Sequence, residues 1–141
     1  MTAAQSLVAA VLAQAFLHLI MVMALYATRI PAMMAARMSA QATLKRGALS
    51  TLPGWARNVA ANYNNLAEAP TTFYAAALAV IVMGKADWGF AGLAWAFVAL
   101  RYAHSAVQAT VNRVTVRFAV FSLSWAVLGV MIVRGLISVL T

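Results

Sequence analysis

The stretch "NYNNLAEAPTTFYAAALAVIVMG", residues 62–84, decides the fold of this chain. Its second half is apolar enough to enter a bilayer, whereas its first half holds three asparagines, Glu68 and Pro70. A carboxylate is costly at membrane depth, and a proline leaves one helical carbonyl without its usual partner. Such residues persist at the mouth of a membrane helix where neighbouring helices, water or a bound ligand satisfy them.

The composition of the whole chain indicates a membrane protein. Of its 141 residues, 65% are hydrophobic and 9% are charged, whereas a soluble domain carries about 25% charged residues. We predict one all-α domain over residues 1–141, an integral membrane four-helix bundle with spans at about 7–27, 58–83, 88–112 and 117–140. The first span lacks a basic leading region, so we interpret it as retained rather than as a signal peptide. "PAMMAARM", residues 31–38, predicts a short interfacial helix.

The basic residues behind the formal charge of +8 are concentrated in particular parts of the chain, as expected from the topology of a membrane protein. Eight of the ten bases follow the apolar cores of spans one and three, in or beside the connections after them: Arg29, Arg37, Lys45, Arg46, Arg57, Arg101, Arg113 and Arg117. The positive-inside rule assigns those connections to the cytoplasm, so both termini are expected outside, in the periplasm if the membrane is a bacterial inner membrane. We interpret the excess as topology and attraction to anionic lipid, and not as nucleic-acid binding. Asp87 is expected to balance Lys85, and Arg134 to snorkel to the outer interface.

The sequence lacks the residues that several kinds of functional site require. The chain has no cysteine, two histidines and two acidic residues, which do not form a recognisable metal cluster or cysteine nucleophile. No glycine-rich phosphate loop is present.

Polar residues instead form a stripe on each of two helices. On span two they recur at spacings of 4, 3, 3 and 4, at Asn58, Asn62, Asn65, Glu68 and Thr72. On span three they are Arg101, Ser105, Gln108, Asn112 and Thr115, with His104 on the flank. Each spacing places its residues on one helix face. One interpretation of the two stripes is that their side chains only hold the helices together by hydrogen bonds, with Glu68 paired to Arg101 or Arg117. The other interpretation is that they form a site for a small, multiply charged ligand.

Two motifs on these stripes resemble a known family. "NNLAEAPTTFYAAALAV", residues 64–80, is similar to the second-helix signature of the membrane-associated proteins in eicosanoid and glutathione metabolism, the MAPEG family. "RYAHSAVQATVNRVTVRFAVF", residues 101–121, resembles the third-helix arginine and histidine of that family and the arginines leading into its fourth helix. The spacing from Asn65 to Tyr74 is similar to the bacterial branch.

The resemblance implies a homotrimer that binds glutathione, as a co-substrate, between subunits near the cytoplasmic face. It implies a transferase or peroxidase that conjugates the thiol to a lipophilic electrophile, or reduces the electrophile with it. Arg117 is implied as the catalytic residue that stabilises the thiolate. The glutathione-binding residues implied are Arg29, Asn65, Glu68, Arg101, His104, Gln108 and Arg113. Gln108 stands where several members have a tyrosine, and Ala61 and Asn64 stand where an arginine often precedes the Asn–Glu pair.

Two other functions also fit the sequence. One is a non-enzymatic accessory subunit of a larger membrane complex, in which the polar stripes are interfacial glue. The other is a small proton-coupled exporter in which Glu68 exchanges protons for cationic compounds.

Overall fold

The computed structural model describes residues 1–140 and, over that range, contains helices and turns without a β-strand. Five α-helices follow one another: α1 (Ala3–Ala35), α2 (Gly54–Asn65), α3 (Ala69–Val82), α4 (Trp88–Ala109) and α5 (Val114–Leu140). Two short 3-10 helices, Ala40–Leu44 and Ala48–Thr51, lie in the connection between α1 and α2. The all-α fold class predicted from the sequence is therefore confirmed.

Three helical segments are long and apolar enough to cross a membrane. They are Ala3–Ala35, Gly54–Val82 and Val114–Leu140, with mean hydropathies of 2.3, 1.3 and 2.0. Helix α4 is not among them, although its 22 residues give it a length of roughly 33 Å. Most residues of α4 are apolar, but its buried polar residues Arg101, His104 and Gln108 lower the hydropathy of the helix. A fourth membrane span formed by α4 therefore stays a prediction.

Helix α1 is longer than the sequence indicated. It begins with a capping box, in which the Thr2 hydroxyl accepts from the Gln5 N–H at 3.2 Å and the Gln5 side chain accepts from the Thr2 N–H at 2.8 Å. The separate interfacial helix predicted over residues 31–38 is wrong, because α1 continues through Pro31 to Ala35. The fixed φ of proline is compatible with a helix, and the surrounding alanines and methionines favour one.

A break at residues 66–68 separates α2 from α3, within the polar stretch that precedes the apolar run. The backbone N–H of Leu66 closes α2 on the carbonyls of Asn62 and Tyr63, and Glu68 caps the start of α3 with φ −91° and ψ −100°. Pro70 occupies the first turn of α3, where its missing N–H is tolerated. The break turns Asn65 and Glu68 toward one shared cavity.

The apolar core lies where α3, α4 and α5 meet α1. The rings of Phe73 and Phe97 stack with centroids 4.6 Å apart, and Leu128 and Met131 of α5 are buried beside them. Tyr102 of α4 donates its hydroxyl to the Ala13 carbonyl at 2.9 Å, which ties α4 to α1. Helix α4 thus packs between α1 and α5 and carries its polar face inside the bundle.

A clasp made by Asp87, Gly89, Phe90 and Arg134 closes one end of the bundle. Asp87 accepts from the Phe90 N–H at 2.9 Å and from the Arg134 guanidinium at 2.6 Å. That guanidinium lies 4.4 Å from the centre of the Phe90 ring, over the space left by the absent side chain of Gly89. The Asp87 carboxylate therefore pairs with Arg134 rather than with Lys85, because the α3–α4 turn presents Asp87 to α5. The Arg134 side chain stays partly exposed, and its position at the outer interface stays a prediction.

Candidate functional site

A hydrogen-bond network at the other end of the bundle joins the two polar stripes. The Gln108 carbonyl oxygen accepts from Asn65 Nδ2 at 2.9 Å and faces His104 Nε2 at 2.9 Å. The Nδ1 atom of His104 lies 3.2 Å from the Arg117 carbonyl oxygen. Because both ring nitrogens face acceptors, the network fixes the orientation of the imidazole. Gln108, the departure from the family pattern, is the residue that bridges α2 to His104.

Arg101 lies beneath this network and is 0% exposed. It donates from Nη2 to the Asn65 carbonyl at 3.0 Å, and its guanidinium is 5.8 Å from the Phe121 ring centre. Its Nε and Nη1 atoms are buried without a hydrogen-bond partner in the part of the chain that the structure describes. A buried guanidinium with unbonded N–H groups is costly, so Arg101 is a positive charge held close to the site without full hydrogen bonding.

Arg117 is held at the start of α5 by the turn that precedes it. Its Nη1 donates to Asn112 Oδ1 at 2.8 Å, and Asn112 Nδ2 donates to Asn58 Oδ1 at 2.9 Å. Asn112 has a φ of 47°, a left-handed conformation that asparagine tolerates better than most residues. Asn112 and Asn58 belong to the predicted stripes, but sequence reasoning did not assign them to the site.

Asn65, His104 and Arg117 of this network line a cavity of about 210 Å³, here called the first cavity. It is lined by Asn65, Glu68, His104, Val114, Arg117, Phe118 and Phe121. Sequence reasoning missed Val114, Phe118 and Phe121, because apolar residues in an apolar run give no signal that separates a cavity wall from a lipid-facing surface.

Glu68 and Arg117 share the first cavity without neutralising each other. Within residues 1–140, the Glu68 carboxylate forms no ion pair and no hydrogen bond, so neither of the ion pairs weighed from the sequence, with Arg101 or with Arg117, is formed. The first cavity therefore presents a free carboxylate, a guanidinium and an imidazole to a ligand.

Two predicted site residues lie elsewhere in the single chain. Arg29 lines a different cavity, between α1 and α2. Arg113 is exposed in the α4–α5 connection. The structure thus brings together Asn65, Glu68, Arg101, His104, Gln108 and Arg117, and separates Arg29 and Arg113 from them.

The fold and the first cavity define a class: a helical membrane protein with a cavity at one end of the bundle that is lined by polar side chains and by charges of both signs. The chain matches the model of the MAPEG family over residues 7–137, nearly its full length, and it belongs to that family. The resemblance seen in the two sequence motifs is thereby confirmed. No match was found among curated proteins or among solved structures. Family membership makes this an integral membrane protein of a glutathione-related family in general.

Proposed function

We propose that this protein binds glutathione or a similar thiol in the first cavity and uses it to conjugate or reduce a lipophilic electrophile. The observation that carries the proposal is the coexistence of an unpaired carboxylate, Glu68, and a guanidinium, Arg117, in one cavity. A small peptide thiol carries an ammonium group, carboxylates and a sulfhydryl, so it complements a cavity with free groups of both signs.

Each residue of the first cavity has a distinct part in the proposal. Glu68 accepts from the ammonium group of the thiol, and Asn65 holds its peptide backbone. Arg117 stabilises the thiolate, because a nearby guanidinium favours the charged form of a thiol whose free pKa is about 8.5. His104 and Gln108 orient the wall on which the peptide rests, and Arg101 supplies positive potential from below. Arg29 and Arg113 do not line the first cavity within one chain.

The second substrate is proposed to arrive from the bilayer. Val114 is 64% exposed and Phe118 is 69% exposed, and both line the first cavity. An apolar compound dissolved in lipid can therefore approach the sulfur from the side of α5. The thiolate sulfur then forms a bond to the electrophilic carbon, while the bond from that carbon to its leaving group breaks and the leaving group departs with the electron pair. This is transferase chemistry. With a hydroperoxide, the thiolate would instead attack one oxygen, the O–O bond would break to release an alcohol after protonation, and a second thiol would convert the resulting sulfenic acid to a disulfide and water.

The proposal also includes assembly and location. A homotrimer in a bacterial inner membrane, with both termini periplasmic, agrees with the family and with the eight bases at one end of the chain's helices. Light scattering of the detergent-purified protein measures the stoichiometry, and a monomer or dimer would contradict this part of the proposal.

The central test is a titration of purified protein with glutathione, followed by ultraviolet absorbance of the thiolate. Native protein should form thiolate at a pH below the pKa of the free thiol, and Arg117→Ala should not. Arg46→Ala is the matched control, since it removes the same charge from an exposed residue outside the cavity. Equal signals from native protein and Arg117→Ala, or no signal from either, would reject the mechanism. S-methyl glutathione should compete without giving a signal.

A further inference from the structure

Three aromatic rings follow one face of α5 from the first cavity toward the middle of the helix. Phe118, Phe121 and Trp125 recur at spacings of 3 and 4, which places them on the same side of α5. Phe118 and Phe121 line the first cavity, and Trp125 follows one turn further along. These three residues are here called the aromatic wall. The thiol binding proposed above requires apolar access along α5 but no aromatic ring, so the wall calls for its own explanation.

Contacts within the bundle hold the central ring of the aromatic wall in place. The centre of the Phe121 ring lies 5.7 Å from that of His104 and 5.8 Å from the Arg101 guanidinium carbon. It lies 6.4 Å from the centre of the Trp125 ring, in an edge-to-face arrangement. Phe121 is half-buried, whereas Phe118 is 69% exposed and Trp125 is 38% exposed. The wall therefore combines one fixed ring with two rings that are open to a ligand.

The position of Trp125 argues against an anchor at the membrane surface. Tryptophan is enriched where a membrane helix meets the headgroups, near the helix ends. Helix α5 runs from Val114 to Leu140, so Trp125 lies about 17 Å from one end and about 23 Å from the other. A ring at that depth is away from both interfaces.

The aromatic wall begins beside the group proposed to hold the thiolate. Arg117 and Phe118 are consecutive residues of α5 that both line the first cavity, and Phe121 follows Arg117 by one turn. The reacting atom of the second substrate must come within bonding distance of the sulfur, so the rest of that molecule lies against Phe118 and Phe121. The wall is thus placed to select the second substrate, an inference that rests on the proposed thiol site.

The rings favour one class of electrophile. A flexible alkyl chain requires only apolar area, which leucine or valine supplies as well as phenylalanine does. An aromatic ligand gains further from offset-stacked and edge-to-face contacts, because phenylalanine and tryptophan rings have negative faces and positive edges. A ring carbon that a thiolate can attack belongs to an electron-poor ring, and such a ring complements the negative faces of the wall.

We propose that the aromatic wall selects electron-poor aryl electrophiles over aliphatic ones as the second substrate. In the transfer, the thiolate sulfur forms a bond to the ring carbon that carries the leaving group. The bond from that carbon to the leaving group breaks, and the leaving group departs as an anion with the electron pair. Phe118 and Phe121 act as residues that determine specificity, since they contact the ring and not the sulfur.

Two product analogues isolate the contribution of aromaticity. S-benzyl glutathione and S-(cyclohexylmethyl) glutathione carry a six-carbon ring on the same linker, and only the benzyl ring is aromatic. Calorimetric titration of the detergent-purified full chain should give the benzyl compound an affinity about fivefold higher, the size of one aromatic pair contact. Apolar area alone would favour the cyclohexyl compound, because the saturated ring has the larger apolar surface.

Two variants test whether the preference comes from the aromatic wall. Phe118→Leu should reduce the preference to less than twofold, because leucine stays apolar but removes the exposed ring. Trp88→Leu is the control: it removes a ring that is 63% exposed at the other end of the bundle, and it should keep the fivefold preference. Circular dichroism checks that both variants are folded. Each preference is a ratio of two affinities in one variant, so a general loss of affinity does not imitate the result.

The outcomes separate this inference from the proposed thiol site. Native protein that binds S-methyl glutathione without preferring the benzyl compound would overturn the aryl selectivity and leave the thiol site in place. A fivefold preference kept by folded Phe118→Leu would overturn it too, as would an equal loss in Trp88→Leu. If native protein bound none of the three compounds, the thiol site itself would be rejected and the inference with it.

Discussion

Two glutamines in this bundle are equally buried and differ in whether their amides are bonded. Gln108 is 2% exposed, and its carbonyl oxygen lies 2.9 Å from both Asn65 Nδ2 and His104 Nε2. Gln14 of α1 is 0% exposed, and neither its oxygen nor its nitrogen has a partner in residues 1–140. Replacing each by leucine should therefore change stability in opposite directions.

The magnitudes follow from the bonds each change removes. Gln108→Leu removes the partner of the partly buried Asn65 Nδ2 and of the buried His104 Nε2, and an orphaned buried polar group costs about 1–3 kcal/mol. Interhelical hydrogen bonds in membrane proteins average about 0.6 kcal/mol, so the total loss is expected near 2 kcal/mol. Gln14→Leu removes an unsatisfied buried amide and adds apolar contact, which should stabilise the fold by about 1–2 kcal/mol.

Reversible unfolding in mixed micelles, with increasing dodecyl sulfate and intrinsic tryptophan fluorescence as the signal, measures both changes. The two variants should differ by about 3 kcal/mol, with native protein between them. A double-mutant cycle of Gln108→Leu with Asn65→Ala should be non-additive, because each change removes the same interhelical bond. Destabilisation by Gln14→Leu as large as that by Gln108→Leu would refute the assignment of bonded and unbonded amides.

Four further predictions follow from the clasp, the cavity and the family. Gly92→Ala, with open space around it, should raise the unfolding temperature by removing a helical glycine worth about 1 kcal/mol, whereas Gly89→Ala should raise it less, because the added methyl group must displace the partly exposed Arg134 guanidinium from the clasp; equal shifts would contradict the close packing of the clasp. Asn112→Ala removes the acceptor of the Arg117 guanidinium and should reduce thiolate formation more than it reduces binding of S-methyl glutathione; equal losses would contradict a positioning role. Glu68→Gln should abolish glutathione binding in a calorimetric titration while leaving the unfolding temperature within about 2 °C, and native-like affinity would remove Glu68 from the site. Extraction in mild detergent should yield the chain without stoichiometric partner proteins. A complex that co-purifies with the chain would instead favour the hypothesis of an accessory subunit. Resistance of cells to cationic compounds that depends on Glu68 would favour the exporter hypothesis.

The polar network was largely predictable from the sequence because a membrane helix has few ways to satisfy polar side chains. Spacings of three and four placed Asn65 on one helix face, and Arg101, Gln108 and Asn112 on another. In an apolar setting those faces must turn inward to find partners. The hydrogen bond from Asn65 to Gln108 agrees with that expectation. Asn112 reaches Asn58 from a turn beyond the end of α4, which the helical spacing did not predict.

Features that depend on the packing of connections were not predictable in the same way. The continuation of α1 through Pro31 depends on local helix propensity that a span boundary does not report. The partner of Asp87 is Arg134, 47 residues away, because the α3–α4 turn and the far end of α5 meet in space. Phe121 lines the first cavity although it reads as one more apolar residue of α5. Periodicity defines which face of a helix a residue occupies, but not which helix that face meets.

The two acidic residues of the chain show why the first cavity is better explained by a guest than by glue. Both oxygens of Asp87 are satisfied within the protein, one by the Phe90 N–H and the other by Arg134. Glu68 lies at the end of the bundle that also holds Arg101 and Arg117, yet the described chain bonds it to neither. Glu68 is exposed in the single chain, so its unpaired charge costs little and stays available to a ligand. A cavity that keeps groups of both signs unpaired is prepared for a ligand that carries both signs itself, and that ligand class includes the peptide thiol proposed here.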